Sequence, residues 1–334
     1  MRPTSPMARK RCSDVLLDPP CHSFPLFRAG ARVGDGIAHA AALGRAADPA
    51  LLPDRHQSAR QLYAYTDHLG NAVYHFNLLR EHEELRIEAQ AVVELGAHLQ
   101  APDHLDPLEW GRYNNYNLTD DHFDMLGPSK FARLSPELVT FMRIAELEKP
   151  EGDPLTAMKK LQRAIYDSFD YQSGITEVHS PIEHALRERR GVCQDFAHIM
   201  IAIARAWGVP SRYVSGYMFH RGNRDRSQAD ATHAWVEAYL PSLGWLGFDP
   251  TNNIPAGERH VRAAVGRDYS DVPPTRGTFK GTADSELSIA VGIEPTQAPV
   301  RHEDFLKVAR PMTSQATHSM PERLYHHQQQ QQQQ

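Results

Sequence analysis

Cysteine is scarce in this chain: Cys12, Cys21 and Cys193 are the only three in 334 residues. That is too few for a disulfide framework, and a free thiol suits a reducing compartment. Long apolar runs are also missing. No stretch approaches the roughly 18 residues that span a bilayer. The segment VLLDPP behind the basic start MRPTSPMARKRC is too short for the apolar region of a signal peptide. The expectation is a cytoplasmic protein with no membrane partner. An excess of positive charge is absent too, since a formal net charge of -5 gives no electrostatic footprint for nucleic acid. No C-x2-C or H-x3-H pair stands near Cys193, and no run of Asp and Glu has the form of a calcium loop. Neither a metal nor a cofactor is expected.

What remains is an ordinary globular composition, 41% apolar and 23% charged, on a chain long enough for a sizeable core. Residues 1–60 are rich in Ala, Arg, Pro and Gly, with little periodicity beyond a short helical pattern from Ala38 to Ala47. No function is assigned there. Residues 61–134 form a β domain and its connection. QLYAYTDHLGNAVYHFNL reads as two strands around a turn at Asp67 to Asn71. ELRIEAQAVVEL alternates, with Leu85, Ile87, Ala89, Ala91, Val93 and Leu95 on one face, as in an antiparallel sheet with one solvated side.

Ser135-Pro136 and Asp153-Pro154 have the cap-then-proline form of helix starts, and Ser180-Pro181 opens a third short helix. The core is expected over 135–281, with 252–281 read as a loop that borders a cleft. A last strand follows at 282–296. From 297 the chain turns polar, and it ends in Gln328 to Gln334, a composition that favours a disordered tail.

The chemistry is concentrated between Arg187 and Thr251. After Gly191, the apolar residues Phe196, Met200, Ile203 and Trp207 recur at helical steps, with Ala197, Ile199, Ala204 and Ala206 filling the rest of the circumference. Gly208 and Pro210 stop this helix. Cys193 then lies in its first turn, where unpaired amides and the helix dipole favour a thiolate and can hold an oxyanion. Asp195 in the same turn opposes a second negative charge. His198, five residues from Cys193, points elsewhere around the helix.

THAWVEAYL alternates as a strand, and a turn from Pro241 to Gly244 sends GWLGFD back beside it. Counting from that turn brings His233 close to Asp249. A thiol, an imidazole and a carboxylate in that order supply a nucleophile, a base and an orienter of the base. The duller readings stay open: a cysteine packed as filler, and an Asp249-Pro250 pair that merely begins a turn.

The words RRGVCQDFAH, RYVSGY, THAWVEAYLPSLGWLGFDPTNN and VGRDYSDVPPTRGTFKG resemble the transglutaminase-like superfamily, most closely its bacterial branch of candidate cysteine proteases. The likeness runs from about Tyr63 to Val291. It implies an α+β fold: a papain-like transglutaminase core, with a cysteine-bearing helix packed on an antiparallel sheet, preceded by a small antiparallel β domain. It further implies Cys193 as nucleophile, His233 as general base and acid, and Asp249 as the residue orienting His233. Gln194, Tyr217 and Trp235 are candidates for the oxyanion site or the cleft wall. The implied activity is acyl transfer on a peptide or protein amide, first as a cysteine protease or amidase. The alternatives are a protein-glutamine transglutaminase and a noncatalytic module that keeps the fold.

Overall fold

The computed structural model describes residues 26–33, 37–40, 62–79, 85, 87–95, 101–114, 121–221, 225–228, 231–278, 280–281 and 290–295. In chain order the strands are β1 (Leu26–Val33), β2 (Ile37–Ala40), β3 (Leu62–Thr66), β4 (Ala72–Phe76), β5 (Ile87–Glu94), β6 (Asp170–Tyr171) and β7 (Arg190–Gly191). They continue with β8 (Ser211–Met218), β9 (His233–Leu240), β10 (Gly244–Asp249), β11 (Ile254–Pro255), β12 (His260–Gly266), β13 (Thr275–Arg276) and β14 (Ala290–Pro295). The central sheet has five strands in the order β11-β10-β9-β8-β12, all antiparallel to their neighbours.

The helix Cys193–Ala206 is buried from Asp195 to Arg205. It packs on β8 and β9 through Tyr213, Ala234, Val236 and Ala238, with the helices Pro154–Ser168 and Ile182–Glu188 against its other flanks. Phe196, Ile199, Met200 and Ile203 are almost wholly buried, and each contributes about 1.5–3 kcal/mol by leaving water. Burial therefore fixes this helix, and with it the position of Cys193, more firmly than helix propensity does. The stop falls where expected: Gly208 takes φ +81°, and Val209 N–H donates back to Ala204 O at 3.0 Å. The two capped starts also form as expected. Ser135 Oγ accepts from Leu138 N at 3.2 Å, and Asp153 Oδ1 accepts from Leu155 N at 2.9 Å and Thr156 N at 3.1 Å.

Three expectations are corrected. The 252–281 segment is not wholly loop, because β12 lies within it and closes one edge of the central sheet beside β8. Its residues are buried on both faces apart from Arg262, which removes the alternation that marks a half-exposed strand. The first sixty residues contribute β1 and β2, so Ala38 to Ala40 are strand rather than helix. Finally, the small β region is built from both ends of the chain. β1 sits between β14 and β5 in one sheet, and β2 joins β13 and β4 in another. The expected last strand thus pairs with β1, from Arg32↔Ala290 to Phe27↔Pro295. Cys12, Cys21, the remainder of the Ala38 to Ala47 pattern and the glutamine tail lie outside the described residues.

Candidate active site

Val192 precedes the cysteine helix in extended conformation, so Cys193 is the first helical residue and is half-buried. The amides of Cys193 and Gln194 fall in the first turn, where no helical carbonyl is available to them. Asp195 does not face that opening. Its Oδ2 accepts from Val192 N at 2.9 Å and from Thr176 Oγ1 at 2.6 Å, and burial pushes its pKa up to about 6 against those two bonds.

The hairpin pairs Gly244 with Leu240 and Phe248 with Val236. The next step sets Asp249 opposite Trp235, so His233 is its diagonal neighbour on the same face. That distance is bridged by a side-chain bond: His233 Nε2–H donates to Asp249 Oδ2 at 2.9 Å. Because an ionised carboxylate only accepts, Nε2 carries a proton in this bond, and Nδ1 is the nitrogen left to exchange one. Nδ1 is buried with no partner in hydrogen-bonding geometry, yet Cys193 still raises the imidazole's pKa.

Asp249 is fully buried and heavily bonded. Oδ1 accepts from Thr251 N at 2.9 Å and Asn252 N at 3.2 Å; Oδ2 accepts from His233, from His260 Nε2 at 3.2 Å and from Asn252 Nδ2 at 2.8 Å. Burial alone would raise this carboxyl, but the charge and hydrogen bond of His233, with help from His260, hold it far below the usual carboxylate range. Burial would likewise depress His233. Asp249 overrides it by charge and hydrogen bond, Cys193 adds to the effect, and the imidazole rises from 6.5 to about 10.

These shifts fix a pH window for stability. His233 binds its proton more tightly folded than unfolded, so its contribution is complete below pH 6.5 and lost as pH rises towards about 10. Asp249 acts in the opposite sense: its contribution is complete above about pH 4 and lost as pH falls below that. Denaturant unfolding midpoints are expected to fall between pH 6.5 and 10, and His233→Gln should flatten that decline. A wild-type midpoint that stays level across this range would contradict the ion pair.

The other expected residues are placed differently. Trp235 is 2% exposed and forms the floor beneath the imidazoles rather than an open cleft wall, stacked on His233 at 6.1 Å and edge-on to His260 at 5.1 Å. Gly216 makes room for it, since a Cβ there would lie 2.6 Å from the Trp235 ring and collide with the Val261 carbonyl. Gln194 spends its side-chain amide on Val178 O at 2.8 Å, which leaves its backbone N–H as the group facing the helix start. Tyr217 packs against Ile87, Val291, Val93 and Val261, in the joint with the N-terminal sheet. Burial alone raises its pKa, with no contribution from Cys193 or His233.

Two tyrosines that the sequence did not single out do feel the Cys193 charge: Tyr171 and Tyr213, both raised chiefly by burial. His198 is indeed elsewhere. It accepts from Tyr269 N at 3.1 Å between Phe131 and Tyr213, and burial lowers its pKa to about 3.

His260 and Asn252, both bonded to Asp249 Oδ2, are the neighbours of the candidate site that sequence reading missed. His233, Asp249 and His260 bring one ligand-type atom each within 4.8 Å of one another, a spacing compatible with a metal. Both Nε2 atoms already donate to the same Oδ2, however, so the three side chains hold one another by hydrogen bonds. Among the described residues no helix is long and apolar enough to cross a membrane.

Comparison with known proteins bears on the family and the fold. Residues 143–250 match the family model described as the transglutaminase-like superfamily. An uncharacterised protein of Mycobacterium leprae is 32% identical over 242 residues, covering 70% of this chain and 82% of that protein. A protein-glutamine gamma-glutamyltransferase of Pseudomonas aeruginosa is 32% identical over 117 residues, 33% of this chain and 17% of that one. Among solved structures, a protein of Cytophaga hutchinsonii described as a candidate cysteine protease superposes with a TM-score of 0.55 at 20% identity, covering 82% of this chain and 92% of that one. At that identity the likeness speaks to the fold alone.

Proposed function

Because the chain belongs to the transglutaminase-like superfamily, we propose that it is a thiol-dependent acyl-transfer enzyme acting on amide bonds, in the first place a cysteine protease or amidase. The observation that carries this reading is the buried 2.9 Å bond from His233 Nε2 to Asp249, which leaves Nδ1 as the nitrogen free to exchange a proton with Cys193 in the reaction. In the proposed cycle Cys193, as a thiolate paired with protonated His233, attacks the carbonyl carbon of the amide. The backbone amides of Cys193 and Gln194 hold the tetrahedral oxyanion. Nδ1–H then protonates the departing amine, the C–N bond breaks, and a thioester remains on Cys193. A second nucleophile, deprotonated by Nδ1, releases the acyl group. Asp249 stays ionised throughout and steadies the imidazolium.

The acceptor separates two readings. Water makes the protein a hydrolase acting on peptide or protein amides, in keeping with the cytoplasmic setting expected from its composition. A primary amine makes it a crosslinking enzyme, and the partial likeness to a gamma-glutamyltransferase supports that second reading. The test is mass spectrometry of a peptide library incubated with the protein, with and without an added primary amine. Cleavage or deamidation that outweighs amine incorporation is expected; dominant incorporation would overturn the hydrolase reading in favour of crosslinking. No product in either arm would favour a noncatalytic module.

A further inference from the structure

We propose that His260 is a positioning residue for the acyl-transfer site: a second imidazole that donates to the same carboxylate oxygen as His233 and so fixes where Asp249 and His233 stand. The inference rests on the reading of Cys193, His233 and Asp249 as the reacting group. It starts from geometry. His260 Nε2 lies 3.2 Å from Asp249 Oδ2, and His260 Nδ1 accepts the Gly257 backbone N–H at 3.2 Å. A carboxylate cannot donate and an amide N–H cannot accept, so the two contacts together assign the proton to Nε2. The ring is 6% exposed, and burial lowers its pKa against the pull of Asp249. A neutral ring with that proton placement is what a fixed donor requires.

Placement makes an accidental contact a poor explanation. In the sheet order, β9 and β8 stand between the strand ending in Asp249 and the strand beginning with His260. Gly216 on β8, paired with His233, leaves the space that the Trp235 ring fills. Trp235 supports both imidazoles from below. Asn252 Nδ2 takes the remaining approach to Oδ2 at 2.8 Å while its own Oδ1 accepts Arg226 N at 2.8 Å. The oxygen is thus held by three donors from three different parts of the chain and has no room to swing.

The chemical consequence concerns how tightly Asp249 holds the His233 proton. A neutral donor on Oδ2 stabilises the carboxylate and weakens its claim on the imidazolium, while holding Asp249, and through it the His233 ring, in one orientation. The charged and titratable groups facing this cluster are Cys193 from the cysteine helix, His220 from the segment after β8, and Arg259, which is paired to Asp225 at 2.7 Å. None of them supplies a donor to Oδ2 in place of His260.

The experiment has two parts. In the wild-type protein, nitrogen-15 NMR of the imidazoles should find His260 neutral and protonated on Nε2 across neutral pH. Protonation on Nδ1, or an imidazolium there, would overturn the proposal. The second part measures alkylation of Cys193 by iodoacetamide against pH in wild type, His260→Phe and His260→Gln, with folding checked by circular dichroism. His260→Phe should slow alkylation at neutral pH about tenfold, the size that outer partners of a site carry, and shift the alkaline limb of the profile upward. His260→Gln keeps an N–H donor and should recover most of the rate. Equal rates in all three, or Gln as slow as Phe, would overturn the positioning role. If His260→Phe does not fold, the wild-type NMR result still decides. A His233→Ala control separates the two levels: no effect of that variant would sink the acyl-transfer reading itself, whereas a strong effect alongside a silent His260→Phe would sink only this inference.

Discussion

Asp249→Ala is expected to destabilise the fold by about 3–5 kcal/mol, the cost of deleting one partner from a buried ion pair, and to cut turnover about ten-thousand-fold. Two effects combine. The substitution strands two imidazole N–H groups, the Asn252 amide and the Thr251 and Asn252 backbone N–H groups inside the protein. It also removes the charge that holds the His233 proton. Asp249→Asn keeps the shape but turns one acceptor into a donor aimed at other donors, so it should fail too, with a smaller loss of stability. Urea unfolding midpoints together with amide turnover check both parts. A variant that loses activity but unfolds at the wild-type midpoint would show that the five bonds contribute little to stability.

Cys193→Ser should show the converse pattern: loss of amide turnover by at least about ten-thousand-fold, with stability changed by less than about 1 kcal/mol. The side chain is half-buried at the helix start, and the helix is held by Phe196, Ile199, Met200 and Ile203 rather than by the thiol. Serine nearly preserves the volume, but its oxygen is a poor leaving group and a weak nucleophile beside an imidazole set for sulfur. Retained turnover in this variant would place the chemistry on another residue. A large fall in the unfolding midpoint would instead make Cys193 a packing residue.

Much of the fold was legible because its signals are local. The apolar circumference of Cys193–Ala206, the caps at Ser135 and Asp153, and the hairpin between Leu240 and Gly244 each depend on residues within a few positions of one another. The nearness of His233 to Asp249 followed from the hairpin for the same reason. What was missed depends on contacts between distant parts of the chain. β1 and β2 lie in a stretch poor in strand pattern, and their outer partners β14 and β13 come from the other end of the sequence. His260 opens a strand buried on both faces, so no alternation marks it, and it reaches Asp249 only because of the order of strands in the sheet. Tyr217 shows the reverse error. It sits within a word that resembles the family's core, but the N-terminal sheet covers its ring.

Everything functional depends on the Cys193 sulfur and the His233 imidazole acting as one unit. The most direct measurement is the iodoacetamide labelling rate of each cysteine, mapped by mass spectrometry at neutral pH in wild type and in His233→Ala. The account predicts that Cys193 labels much faster than Cys12 and Cys21 in the wild type, and at least about tenfold slower once the imidazole is gone. Sluggish labelling at all three cysteines, unchanged by His233→Ala, would contradict it.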